Sequence, residues 1–133
     1  MKNIDHIGIA VKDLEASNKL FASLLNTTCY KIEDVPNQQV LTSFFKTDNQ
    51  KIELIAATSP SSPITKFIDK KDEGIHHIAF EVDDIHAEIV RLKGEGFEPL
   101  SEEPSKGADN KWVVFFHPKT TNGVLIELCQ EIR

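Results

Sequence analysis

Two histidines and two glutamates recur at matching places in this chain. His6 lies in DHIGIAVKDL (5–14) and His77 in HHIAFEVDDI (76–85), 71 residues apart. Glu53 interrupts the apolar run KIELI (51–55) and Glu127 interrupts VLIEL (124–128), 74 residues apart. Alternation along a strand puts His6 on one face with Gly8 and Ala10, and His77 with Ala79 and Glu81. The bulky Ile7, Ile9 and Val11, and Ile78, Phe80 and Val82, take the opposite faces. Small neighbours leave open volume beside each imidazole. A carboxylate inside an apolar strand is costly to bury unless it is paired or bound to a cation. A lone strand histidine or glutamate is more often structural or solvated, but four in register across a repeat favour a metal. Two imidazoles and two carboxylates suit a divalent transition ion and leave octahedral positions for water or substrate oxygens. If the halves pair about a pseudo-twofold axis, His6, Glu53, His77 and Glu127 converge on it.

The elements that would hold these residues repeat as well. A strand to about Val11 is followed by Asp13, an N-cap for LEASNKLFASLLN, in which Leu14, Leu20, Phe21, Leu24 and Leu25 recur at helical spacing and Asn26 is a stop. In the second half Asp83 or Asp84 caps a helix with Ile85, Ile89 and Leu92 on its apolar stripe, ended by Gly94. Three strands follow each helix, at about 29–35, 40–46 and 51–57, then 97–101, 111–117 and 124–129. The pattern βαβββ twice predicts an α+β fold. Its two modules, at about 1–57 and 75–133, should form a cupped, mostly antiparallel sheet with the helices outside. The Ser- and Pro-bearing linker 58–74, in which ITKFIDKK can make a short helix, marks no domain boundary. Each half is about 60 residues with one helix, too little to bury its sheet alone, so residues 1–133 are expected to be a single domain.

Bulk properties narrow the function. The 133 residues carry a net charge of −6, a poor match for nucleic acid or anionic membrane. No apolar run approaches the ~20 residues of a membrane span, and MKNIDHIGIAVKDL lacks the apolar core of a signal peptide, so a cytoplasmic protein is expected. Cys29 and Cys129 make neither a zinc-ligand spacing nor a disulfide framework, and read as reduced thiols packed in strands. His76, on the face opposite His77, reads as structural or as a support to the site. His86 reads as an exposed helix residue and His117 as structural.

The constellation resembles the vicinal oxygen chelate superfamily, which includes glyoxalase I and extradiol dioxygenases. DHIGIAVKDLEASNKLF, SPITKFIDKKDEGIHHIAFEVDDI, LSEEPSKGADNK and FFHPKTTNGVLIELCQ together are similar to its methylmalonyl-CoA epimerase branch, nearly end to end. The resemblance implies ligation of one divalent ion per chain (cobalt, manganese, nickel or zinc) by His6, His77 and Glu127, with Glu53 at the fourth position. It also implies a homodimer acting on an acyl-CoA thioester. Some epimerases have Gln at the place of Glu53 and a separate Glu at a place matching Thr42. Here VLTSFF (40–45) offers no carboxylate.

For such a substrate the α-hydrogen lies between a thioester carbonyl and a carboxylate. Inversion needs a proton removed from one face and returned on the other. Glu53 and Glu127, one per module, are the expected acid/base pair, acting through an enolate. Lys106, Lys111 and Lys119 are candidates for the phosphates of the CoA tail, with Lys12 a weaker one. Two other readings stay open: glyoxalase I (lactoylglutathione lyase) and a non-catalytic small-molecule binder of the same fold. Against the first, carboxylate capture favours arginine, and the chain has only Arg91, on a helix, and the terminal Arg133.

Overall fold

The computed structural model describes residues 1–133. In chain order it contains β1 (Ile4–Ala10), α1 (Leu14–Leu25), β2 (Lys31–Val35), β3 (Val40–Lys46), β4 (Lys51–Ala57), α2 (Pro63–Lys71), β5 (Gly74–Glu81), α3 (Ile85–Gly94), β6 (Ser105–Gly107), β7 (Lys111–Phe116) and β8 (Ile126–Glu131). This is βαβββ twice, in the α+β class, with α2 supplying the short helix expected in the linker. The chain divides into two compact units, His6–His76, and Met1–Asp5 with His77–Arg133. The divisions fall inside β1 and β5.

In the first unit the strands run in the order β2-β3-β4-β1. β1 and β4 are parallel, and β4, β3 and β2 antiparallel. One face packs on α1: Val11, Phe45, Leu54 and Ala56 are buried there, with Leu14, Phe21, Ala22 and Leu25 of the helix against them. Asp13 caps α1, its Oδ1 accepting the Ala16 N–H at 3.1 Å. Asn26 ends it in the left-handed region (φ 52°), and Thr27 N–H donates back to the Ala22 carbonyl at 3.1 Å. The expected apolar stripe is only half right. Leu20 and Leu24 are 65% and 70% exposed. At 3.6 residues per turn they sit roughly 80–120° around the helix from the line of Leu14, Phe21 and Leu25, and the sheet is met only by that line.

In the second unit the order is β5-β8-β7-β6, with β5 and β8 parallel and the rest antiparallel. The first residues of the chain belong here: Lys2 N–H donates to Glu81 O and Glu81 N–H to Asn3 O, both at 2.9 Å. Ile85, Ile89 and Leu92 of α3 pack on Val82, Val114, Phe116 and Leu128. Asp84 is the N-cap, accepting the Ala87 N–H at 3.1 Å. Gly94 is the last helical residue, but the left-handed residue that turns the chain is Gly96 (φ 95°). Phe97 N–H then reaches the Leu92 carbonyl at 2.9 Å and Gly96 N–H the Lys93 carbonyl at 3.1 Å, a Schellman arrangement.

The strand expected at 97–101 does not form. Phe97 is held in the helix stop, and Pro99 makes only an isolated bridge to Phe116. Residues 98–100 still run beside β7, with His117 N–H on the Glu98 carbonyl and Leu100 N–H on the Phe115 carbonyl. After Ser101–Pro104 the pairing resumes as β6, Ser105 opposite Val113. Proline has no N–H for a ladder, so Pro99 and Pro104 break one edge into two pieces. GADNK is the β6–β7 turn, with Asp109 and Asn110 at φ 62° and 54°, a region these two residue types tolerate.

Candidate metal centre

In the first unit register sets the face that carries His6. Glu53 on β4 stands opposite Gly8 of β1 and Phe44 of β3, so His6, two residues from Gly8, shares its face. This is the face turned away from α1. His6 Nδ1 lies 3.1 Å from Glu53 Oε2, with side chains only 7% and 5% exposed. The second unit repeats the arrangement. Glu127 on β8 stands opposite Ala79 of β5 and Phe115 of β7, and His77 Nε2 lies 3.1 Å from Glu127 Oε1, both groups buried. The Phe115 ring meets the His77 ring edge-on at 5.4 Å. Each half therefore presents one buried imidazole–carboxylate pair, on a face bounded by a small residue on one side and a phenylalanine on the other.

These pairs fit a metal by donor chemistry and by spacing. Adjacent ligands on an octahedral first-row ion, at metal–ligand distances of about 2.1 Å, lie about 3 Å apart. A hydrogen-bonded pair has the same separation. Burial separates the two cases in kind: a carboxylate hidden in an apolar strand, with an imidazole that is a good ligand when neutral, is the donor set a divalent cation would compensate.

The lysines expected at the substrate divide three ways. Lys111 is a correction to the rim assignment. It is buried, and its Nζ donates to Asp5 Oδ1 at 2.7 Å, because a buried ammonium persists only when paired. Asp5 had drawn no attention in the sequence, where nothing links residues so far apart. Lys106 is exposed and stands opposite Trp112 on β7, one residue out of phase with Val113 and Phe115, and so on the face away from Glu127. Lys119 is exposed and pairs with Glu98 at 3.0 Å; the hydrogen bond and charge of Lys119 hold the Glu98 carboxyl below its ordinary range. Of the other histidines, His117 Nδ1 accepts the Lys119 N–H at 3.1 Å and caps a short 3-10 turn. His76 meets Phe67 edge-on at 4.9 Å, and His86 is exposed near Glu103.

Residues 5–116 match the model of the glyoxalase/bleomycin resistance protein/dioxygenase superfamily. The chain belongs to this superfamily. Within it, the chain is 43% identical over 129 residues to the ethylmalonyl-CoA/methylmalonyl-CoA epimerase of Cereibacter sphaeroides, covering 96% of each. It is 39% identical to the human mitochondrial methylmalonyl-CoA epimerase, over 96% of this chain and 73% of that one. Among solved structures, the Streptomyces coelicolor methylmalonyl-CoA epimerase in complex with 2-nitronate-propionyl-CoA superposes with a TM-score of 0.95, at 31% identity, over 98% of this chain and 95% of the other. The sequence resemblance to the epimerase branch of the superfamily is thus matched by both full-length sequence and fold. No helix is long and apolar enough to cross a membrane.

Proposed function

We propose that this chain is a metal-dependent epimerase that inverts the α-carbon of methylmalonyl-CoA, with His6, Glu53, His77 and Glu127 serving one divalent ion. The observation that supports this most is the buried imidazole–carboxylate pair occurring twice, in a chain similar along nearly its whole length to methylmalonyl-CoA epimerases. When bound, the ion supplies a Lewis acid for the charge that develops on the thioester oxygen.

The chain's own groups move the proton. One glutamate takes the α-hydrogen as its C–H bond breaks, leaving the substrate as an enolate. The other returns a proton to the opposite face, so the C–H bond reforms with inverted configuration. Each carboxylate sits beside a histidine, which holds it in place between turnovers. The resemblance further supports a homodimer acting in the cytoplasm.

The test is to incubate the metal-loaded protein with methylmalonyl-CoA in heavy water. Deuterium should enter the α-position from both epimers. An absence of α-deuteration, with turnover of the methylglyoxal–glutathione hemithioacetal instead, would replace this reading with glyoxalase chemistry.

A further inference from the structure

Sheet register places three lysines on the face that carries His6 and Glu53, at the end nearest the β3–β4 turn. Lys51 stands opposite both His6 on β1 and Lys46 on β3. One step along, Lys31 of β2 stands opposite Phe44, which is opposite Glu53. Opposite partners in a ladder share a face, so Lys31, Lys46 and Lys51 border the His6–Glu53 pair on one side. Lys31 is held there by two printed contacts: its Nζ lies 4.4 Å from the centre of the Phe44 ring, and 3.6 Å from Glu33 Oε1. Phe44 is fully buried, so the ring is a fixed platform for that ammonium. Glu33, opposite Thr42, is the acidic neighbour on the same face, and Asp48 lies in the adjoining turn.

Two features mark the strip as a ligand feature. Like charges directly opposite on neighbouring strands are destabilising, yet Lys46 and Lys51 occupy such a pair. The strip also belongs to one module alone. Phe44 and Phe115 are equivalent, each opposite its glutamate, and the places matching Lys46 and Lys51 are His117 and Leu125. A duplicated frame has been given positive charge on one side only, as suits a substrate with a single free anionic group beside its reacting centre.

We infer that Lys31, Lys46 and Lys51 form an oxyanion subsite that takes the free carboxylate of a malonyl-type thioester. This deepens the epimerase reading and rests on it. A carboxylate is favoured over a CoA phosphate by distance. Lys51 is two residues from Glu53, about 7 Å along the strand, and Lys31 is two strands away, about 10 Å. The pantetheine arm carries the phosphates several times farther from the acyl carbon.

Dissociation constants should be measured by calorimetry for methylmalonyl-CoA, methylmalonyl-pantetheine and propionyl-CoA, with wild type, Lys31→Gln, Lys51→Gln and Lys31→Arg. Loss of one charge-assisted contact should weaken both methylmalonyl ligands about tenfold and leave propionyl-CoA, which has no carboxylate, unchanged; Lys31→Arg should restore most of the affinity. Equal weakening of both CoA esters, with methylmalonyl-pantetheine spared, would move the contact to the phosphates and overturn the carboxylate assignment. No weakening in any arm, with wild type still exchanging the α-hydrogen, would remove the subsite and leave the epimerase reading intact. A wild type that binds none of the three would remove both.

Discussion

At the scale of single residues, Glu53 decides most. It is buried, it touches His6, and a glutamine has the same shape and can still offer its carbonyl oxygen to an ion while giving up the ability to take a proton. On the two-base reading, Glu53→Gln should cut solvent-deuterium incorporation from one epimer at least about 10²-fold, leave the other much less affected, and keep the metal content of the wild type. Following α-deuteration of each epimer by NMR, with metal measured on the same samples, checks this. Equal loss from both would make Glu53 a ligand without a proton-transfer role. The sequence made Glu53 and Glu127 legible because each interrupts an apolar strand, and His6 and His77 because each lies beside small residues. It misled on Lys111. A lysine at the end of a turn motif reads as a solvated rim residue, and only the fold brings it to Asp5, 2.7 Å away and out of water.

At the scale of elements, local rules predicted what local forces settle. Asp13 and Asp84 each cap a helix by accepting an N–H three residues on, a signal contained within four residues. The stop after α3 was placed two residues early because Gly94 and Gly96 both fit the pattern, and the choice depends on Phe97 packing back beside Leu92. A Gly96→Ala substitution isolates the backbone part of this device. An added Cβ would meet nothing within 4 Å, but φ is +95°, so the cost is conformational alone, about 1 kcal/mol. Urea unfolding should show a midpoint shift of that size at unchanged slope, and Gly94→Ala, at an ordinary helical residue, should stabilise slightly or be neutral. Similar losses at both would mean that the left-handed turn does not end the helix. The split edge strand was not legible for a related reason: Pro99 and Pro104 announce breaks, but which fragment rejoins β7 depends on the β6–β7 turn beyond them.

At the scale of the whole molecule, duplication is the organising fact, since the offsets of 71 and 74 residues are visible without coordinates while the partners of each histidine are not. Each half by itself holds a complete imidazole–carboxylate pair, so two outcomes are physically distinct: two ions per chain, each on one pair, or a single ion drawing on both. A bidentate pair alone leaves an ion mostly hydrated and weakly held, whereas two imidazoles with two carboxylates make an N/O set strong enough for a transition metal. The proposed reading therefore expects one ion per chain by elemental analysis after dialysis. His6→Ala and His77→Ala should each abolish retention of that ion. Metal at a hundred times its dissociation constant stabilises by about 2.7 kcal/mol, so adding it to apoprotein should raise Tm by roughly 8–10 °C for a chain of this size, and both alanine variants should lose that shift. Two ions per chain, with each variant losing one and keeping half the thermal gain, would make the pairs independent sites, and the two glutamates could then no longer serve a common reacting carbon.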